Sequence, residues 1–258
     1  MTAMPTTTVS TPVPTPSLGH TGSPPPASSG TSWAGTPSER AIGRWSARAL
    51  LVLTVVYSAD FVVGFAALGN LHDPLPDPYL GIGEALILVM APIMVTLMLA
   101  IHACAPNRAK SFTQVALGWM LAAAALTSTV HVVELSVARH IDPASFPGYA
   151  RIFDFEWPSL LYAVDVVAWD VFFGLALLFA VPAFRRRSDT AVRLGLIASG
   201  SLCLLGLIGP LTNAIGLRAI GIFGYTLVFA ATCVPLARAF RAVADDEGAP
   251  PRPEAGAG

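Results

Sequence analysis

Six long runs of apolar residues, separated by short polar stretches, set the organisation of this chain. They extend from about Trp45 to Leu68, Leu80 to Cys104, Phe112 to Ala138, Pro158 to Phe184, Leu194 to Leu211 and Leu217 to Phe240. A helix needs about 20 residues to cross roughly 30 Å of hydrocarbon. None of the runs alternates polar and apolar positions with the period of two that a membrane strand requires. Only helices and closed barrels satisfy the backbone inside lipid, so each run is predicted to be a transmembrane helix. The expected fold is an all-α integral membrane protein, a bundle of six transmembrane helices. Pro92 is expected to kink the second helix, and Pro158 suits the first turn of the fourth.

Composition agrees with the pattern. Apolar residues make up 54% of the chain and charged residues 12%, against about 25% charged in soluble domains. Mean hydropathy is +0.63. Residues 1–39, rich in Pro, Ser, Thr and Gly, and residues 242–258 lack the apolar side chains to bury a core. They are expected to be disordered cytoplasmic tails flanking a membrane domain at 40–241. The N-terminal stretch lacks the charged and apolar regions of a signal peptide.

Charge placement predicts an orientation. Twelve of the fifteen Lys and Arg residues fall at one end of the predicted bundle, and only Arg139, Arg151 and Arg218 at the other. The richer end should face the cytoplasm, with both termini. A net charge of −1 gives no basic excess for binding nucleic acid. Cys104, Cys203 and Cys233 lie in apolar runs and read as inert thiols. Gly195, Ser199, Gly200, Gly206 and Gly209 in the fifth helix and Gly221 and Gly224 in the sixth suit close helix packing.

The informative residues are the ionisable ones within the apolar runs: Asp60, Glu84, His131, Glu134, Asp165 and Asp170. A charge at the bilayer centre costs roughly 2.5–3.5 kcal/mol, so such groups are functional candidates. At about 1.5 Å rise per residue, the first five in that order of helices fall within a slab about 7 Å thick in the outer half, with Asp170 deeper. Thr127, His131 and Glu134 share one helix face, as do Tyr57 with Asp60, and Tyr162 with Asp165 and Trp169. Asp165 and Asp170, about 140° apart on an α-helix, need not share a cavity. The fifth and sixth helices offer no acid or histidine. The expected site is a polar, outward-opening pocket among the first four helices. Asp60, His131, Glu134 and Asp165 are its candidate catalytic groups. Tyr57, Glu84, Thr127, Tyr162, Trp169 and Asp170 are candidate substrate contacts. The plainer alternative is that Glu84 and Glu134 reach the interface along their stems and that His131 merely packs.

Neighbouring carboxyl groups beside a histidine can hold and move protons, which suits isomerisation or cyclisation of a lipid-like substrate. The same groups suit a small proton-coupled transporter or ion-binding protein, and a non-catalytic membrane partner protein is a third class. The expected partners are the lipid bilayer and an apolar or amphiphilic small molecule, and no cofactor is implied. His131-x-x-Glu134 has the spacing of a bundle metal site but lacks a second such pair, so no metal is expected. Phosphate loops, GxSxG and HExxH are absent, and the single lysine, Lys110, sits in a loop. In its buried acids and histidine the chain loosely resembles emopamil-binding sterol isomerases. Their His-x-x-x-Glu pattern is one residue longer than His131-x-x-Glu134, which turns the acid by about 100°, so no residue role follows from the likeness.

Overall fold

The computed structural model of the chain describes residues 35–68 and 75–247, with side chains as far as residue 241. Of the tails expected from sequence to be disordered, 1–39 and 242–258, residues 1–34 and 248–258 lie outside the described residues, whereas 37–39 open the first helix and 242–247 continue the last one. Among the described residues every regular element is helical. Six helices are long and apolar enough to cross a membrane: α1 (Pro37–Ala66), α2 (Tyr79–Cys104), α3 (Asn107–His140), α4 (Leu160–Ala183), α5 (Arg187–Thr212) and α6 (Ile215–Arg241). Each packs against its neighbours in the chain, and α6 returns to α1, so the spans close into a ring.

Helix ends depart from the hydropathy pattern where polar chemistry takes over. α1 begins at Pro37 rather than Trp45, because Thr36 and Glu39 form a capping box. The Glu39 amide donates to Thr36 Oγ1, and Glu39 Oε2 accepts from the Thr36 amide at 2.7 Å. Its first two turns are too polar to register as membrane sequence. In α4 the N-cap is Ser159, whose Oγ accepts from the Tyr162 amide at 3.2 Å. Pro158 therefore precedes the helix instead of opening it. Two spans also change helix type. α4 carries a π-helical segment at Val167–Phe173 and α6 another at Gly224–Val228. Hydropathy cannot reveal such a widening, because it leaves the apolar pattern intact.

The interior of the end rich in Lys and Arg is mostly apolar. Leu50, Met98, Met120, Phe173, Leu177, Leu196, Leu236 and Phe240 are all fully buried there or toward mid-membrane. The outer surface is apolar too: Val52, Val62, Leu160 and Leu194 each expose 60% or more, as expected of a surface solvated by lipid.

The glycines of α5 set its distance from both neighbours. A Cβ at Gly200 would lie 2.7 Å from the Gly174 carbonyl oxygen on α4, and one at Gly195 would lie 2.2 Å from Thr232 Oγ1 on α6. Gly200→Val is therefore expected to force α4 and α5 apart. The thermal unfolding midpoint of the purified protein should fall, with a cost of about 1–3 kcal/mol. An unchanged midpoint would show that this contact does not hold the bundle.

Candidate functional site

Five ionisable side chains from four spans meet in one buried row. Glu84 of α2 hydrogen-bonds His131 Nδ1 of α3. On the other side of the ring, His131 Nε2 lies 3.6 Å from Asp165 Oδ1 of α4. Asp165 Oδ2 accepts a hydrogen bond from an Arg218 guanidinium nitrogen of α6 at 3.0 Å, and Arg218 Nε lies 3.5 Å from Asp170 Oδ2. Every one of these residues is buried, with Asp170 wholly inaccessible. A charge shielded in this way is tolerable only if it is paired or neutralised.

Local structure explains how the row is assembled. His131 and Glu134 lie on the inward face of α3 with Thr127, and all three are buried. Asp165 and Asp170 point apart on a regular α-helix, yet both reach Arg218. The π-helical segment Val167–Phe173, which contains Asp170, is closed by hydrogen bonds to the fifth residue and turns less per residue, which brings residues five apart closer to one face. The Asp170 carboxyl is seated between two glycine backbones. A Cβ on Gly221 would lie 2.5 Å from Asp170 Oδ1, and one on Gly206 would lie 3.3 Å from its Cγ. These glycines, read from sequence as packing residues, make the space that the acid occupies.

Arg218 corrects the sequence reading most directly. The sequence counts it among the charges at the outer end and offers the fifth and sixth helices only for packing. Instead it is 4% exposed, and its guanidinium lies 4.4 Å from the centre of the Tyr162 ring. The sequence held a signal for it: of the three arginines at the end poor in basic residues, it alone falls inside an apolar run, facing a surplus of buried acids. Phe155 and Tyr225 were also missed. Phe155 packs on His131, with ring centres 5.9 Å apart, and on Tyr162 at 5.5 Å. Tyr225, from the π segment of α6, packs on Trp169 at 4.9 Å.

Other expected members make no hydrogen bond or ion pair with the row among the described residues. Asp60 is half-buried and makes no hydrogen bond or ion pair with Glu84, His131 or Asp165; its Oδ2 is shielded from solvent and has no hydrogen-bond partner among the described residues. Tyr57, also half-buried, packs tilted on Phe61 with ring centres 4.6 Å apart, and it lies within electrostatic reach of Glu84, Asp165 and Arg218. Thr127 Oγ1 and Glu134 Oε2 are buried without a hydrogen-bond partner among the described residues, as are one oxygen of Asp165 and both of Asp170. Three acids in the row and Glu134 nearby thus face two bases, His131 and Arg218. Electroneutrality in this dry setting requires that some carboxyl groups carry protons or that the site take up positive charge.

Polar contacts tie the loops together above the row, while the inner side is apolar. Arg139 makes a two-pronged ion pair with Asp77, at 2.9 and 3.0 Å, linking the loops outside α2 and α3. Trp157 Nε1 donates to Asn213 Oδ1 at 3.1 Å, linking α4 to the α5–α6 turn. Below Asp170, Phe173 meets Phe229 edge-on at 5.0 Å. Buried hydroxyls at that depth are spent on backbone: Ser199 Oγ donates to the Gly224 carbonyl at 2.8 Å. Among the described residues no group of three His, Cys, Asp or Glu side chains converges as a metal site. Comparison with protein families, with curated proteins and with solved structures finds no match to this chain.

Proposed function

We propose that the buried row is an acid–base site that rearranges an apolar or amphiphilic molecule within the membrane. The observation that carries this reading is the unbroken sequence Glu84–His131–Asp165–Arg218–Asp170, at one end of a bundle whose interior at the other end is filled by buried apolar side chains. His131 has a carboxyl group at each ring nitrogen, so the imidazole can pass a proton between them. A double-bond shift needs just such a pair: an acid adds a proton to one carbon of the double bond, the other carbon becomes cationic, and a base removes a proton from the carbon on the far side of that centre. Atoms balance without a co-reactant. A surplus of acids and the aromatic walls of Tyr162 and Trp169 would favour a cationic intermediate over its neutral precursor. The apolar floor of Phe173 and Phe229 supports a one-sided site over a channel. By the distribution of Lys and Arg, that site lies in the outer half of the bilayer, with both termini cytoplasmic.

The proposal predicts that the delivered proton comes from solvent-exchangeable groups. Membranes carrying the protein, incubated in heavy water, should yield a lipid-extract species that gains deuterium at carbon, seen by mass spectrometry. Membranes carrying Asp165→Asn should not. If no species gains deuterium with the wild-type protein, the rearrangement is wrong. The acid surplus also supports a second reading, in which the row binds a proton or small cation without chemistry. A cation-dependent rise in thermal stability with no labelled lipid would select it.

A further inference from the structure

A cleft of about 250 Å³ lies at the opposite end of the bundle, between α1 and α6. Its lining combines three arginines, Arg48, Arg238 and Arg241, with the apolar side chains of Leu51, Val234 and Ala237. All three arginines are exposed and form no ion pair with any residue whose side chain is described, as far as residue 241. The Arg48 guanidinium sits 5.3 Å from the Trp45 ring. Trp45 is 62% exposed, and an outward-facing tryptophan with basic neighbours marks the membrane–water boundary. Apolar lanes lead away from the cleft toward mid-membrane on both helices. On α1, Val52 and Val55 follow Arg48 at helical spacings of four and seven; on α6, Val234 and Leu227 precede Arg238 at four and eleven. All four valine and leucine side chains are exposed.

We propose that this cleft binds an anionic phospholipid, its phosphate among the three guanidiniums and its acyl chains along the two lanes. Three cations around one small concavity match a phosphate-bearing headgroup. Clefts of this composition between membrane helices on the cytoplasmic side suit anionic headgroups. The lanes select a lipid over free phosphate, because a soluble anion gains nothing from exposed valines. The site shares no residue with the acid–base row, so it stands or falls independently of the function proposed above.

The test uses the full-length protein in a neutral detergent. Added phosphatidylglycerol should raise the thermal midpoint, whereas phosphatidylcholine and inorganic phosphate should not. Native mass spectrometry should find phosphatidylglycerol retained over phosphatidylcholine. Each Arg→Gln change at 48, 238 or 241 should weaken retention about fivefold. The single variants R48Q and R238Q should keep the lipid-free midpoint, since neither residue holds a described partner by an ion pair. Equal retention of the two lipids by the wild-type protein, equal stabilisation by inorganic phosphate, or undiminished retention by the variants would each overturn the proposal. The wild-type measurement decides the matter even where a variant fails to fold.

Discussion

Replacing Arg218 with methionine is expected to destabilise the protein more than any other single change. Arg218 stands between Asp165 and Asp170, at 3.0 and 3.5 Å, and is itself buried. Methionine fills much of the same volume but leaves two carboxyl groups in a dry interior without their cation. Breaking a buried pair from one side costs about 3–5 kcal/mol. The thermal midpoint in detergent should drop accordingly. A double variant separates charge from shape. Arg218→Met with Asp170→Asn removes one acid together with the base, and should recover part of the loss. If the double variant is no more stable than Arg218→Met alone, the guanidinium acts by filling space and not by neutralising Asp170.

The second large effect concerns chemistry. Asp165→Asn leaves a side chain of similar shape that neither takes nor gives a proton at the positions where His131 and Arg218 meet it. Loss of one general acid or base costs about 10²- to 10⁴-fold in rate. Deuterium incorporation into lipid is expected to fall by that factor. His131→Asn should do the same, since the two ring nitrogens of the imidazole meet Glu84 and Asp165. Asp60→Asn should lose much less, because Asp60 makes no hydrogen bond or ion pair with the row. A loss at Asp60 equal to that at Asp165 would place the working site nearer α1 than proposed here.

Helix number, approximate span limits and the buried positions on α3 were all legible in the sequence. Each depends on a local pattern. Lipid imposes a length on every crossing segment, and a helix places residues three and four apart on one face. Thr127, His131 and Glu134 therefore point inward together, as their spacing requires. The depth estimate likewise placed Glu84, His131 and Asp165 at one level, and those three side chains do meet.

Three features were not legible, and each has a distinct cause. The start of α1 depends on a cap formed by Thr36 and Glu39, which is polar and lies outside any apolar window. The alignment of Asp165 with Asp170 depends on a π segment, a change in hydrogen bonding that leaves residue types untouched. The entry of Arg218 into the interior depends on its partners: alone, an arginine at a helix start belongs in water, and only two carboxyl groups from another helix make burial favourable.

The sequence alone determined what the solvent demands of the chain: six apolar crossings, the surplus of acids within them and the bias of positive charge to one end. These follow from composition and period, which lipid and water read one segment at a time. Tertiary structure alone decided which acids share a site, because that depends on the order of helices around the ring and on the turn geometry of α4. It also decided that α6, apolar and glycine-rich in sequence, contributes the cation. Pairing energy belongs to two helices at once, and no pattern along one of them contains it.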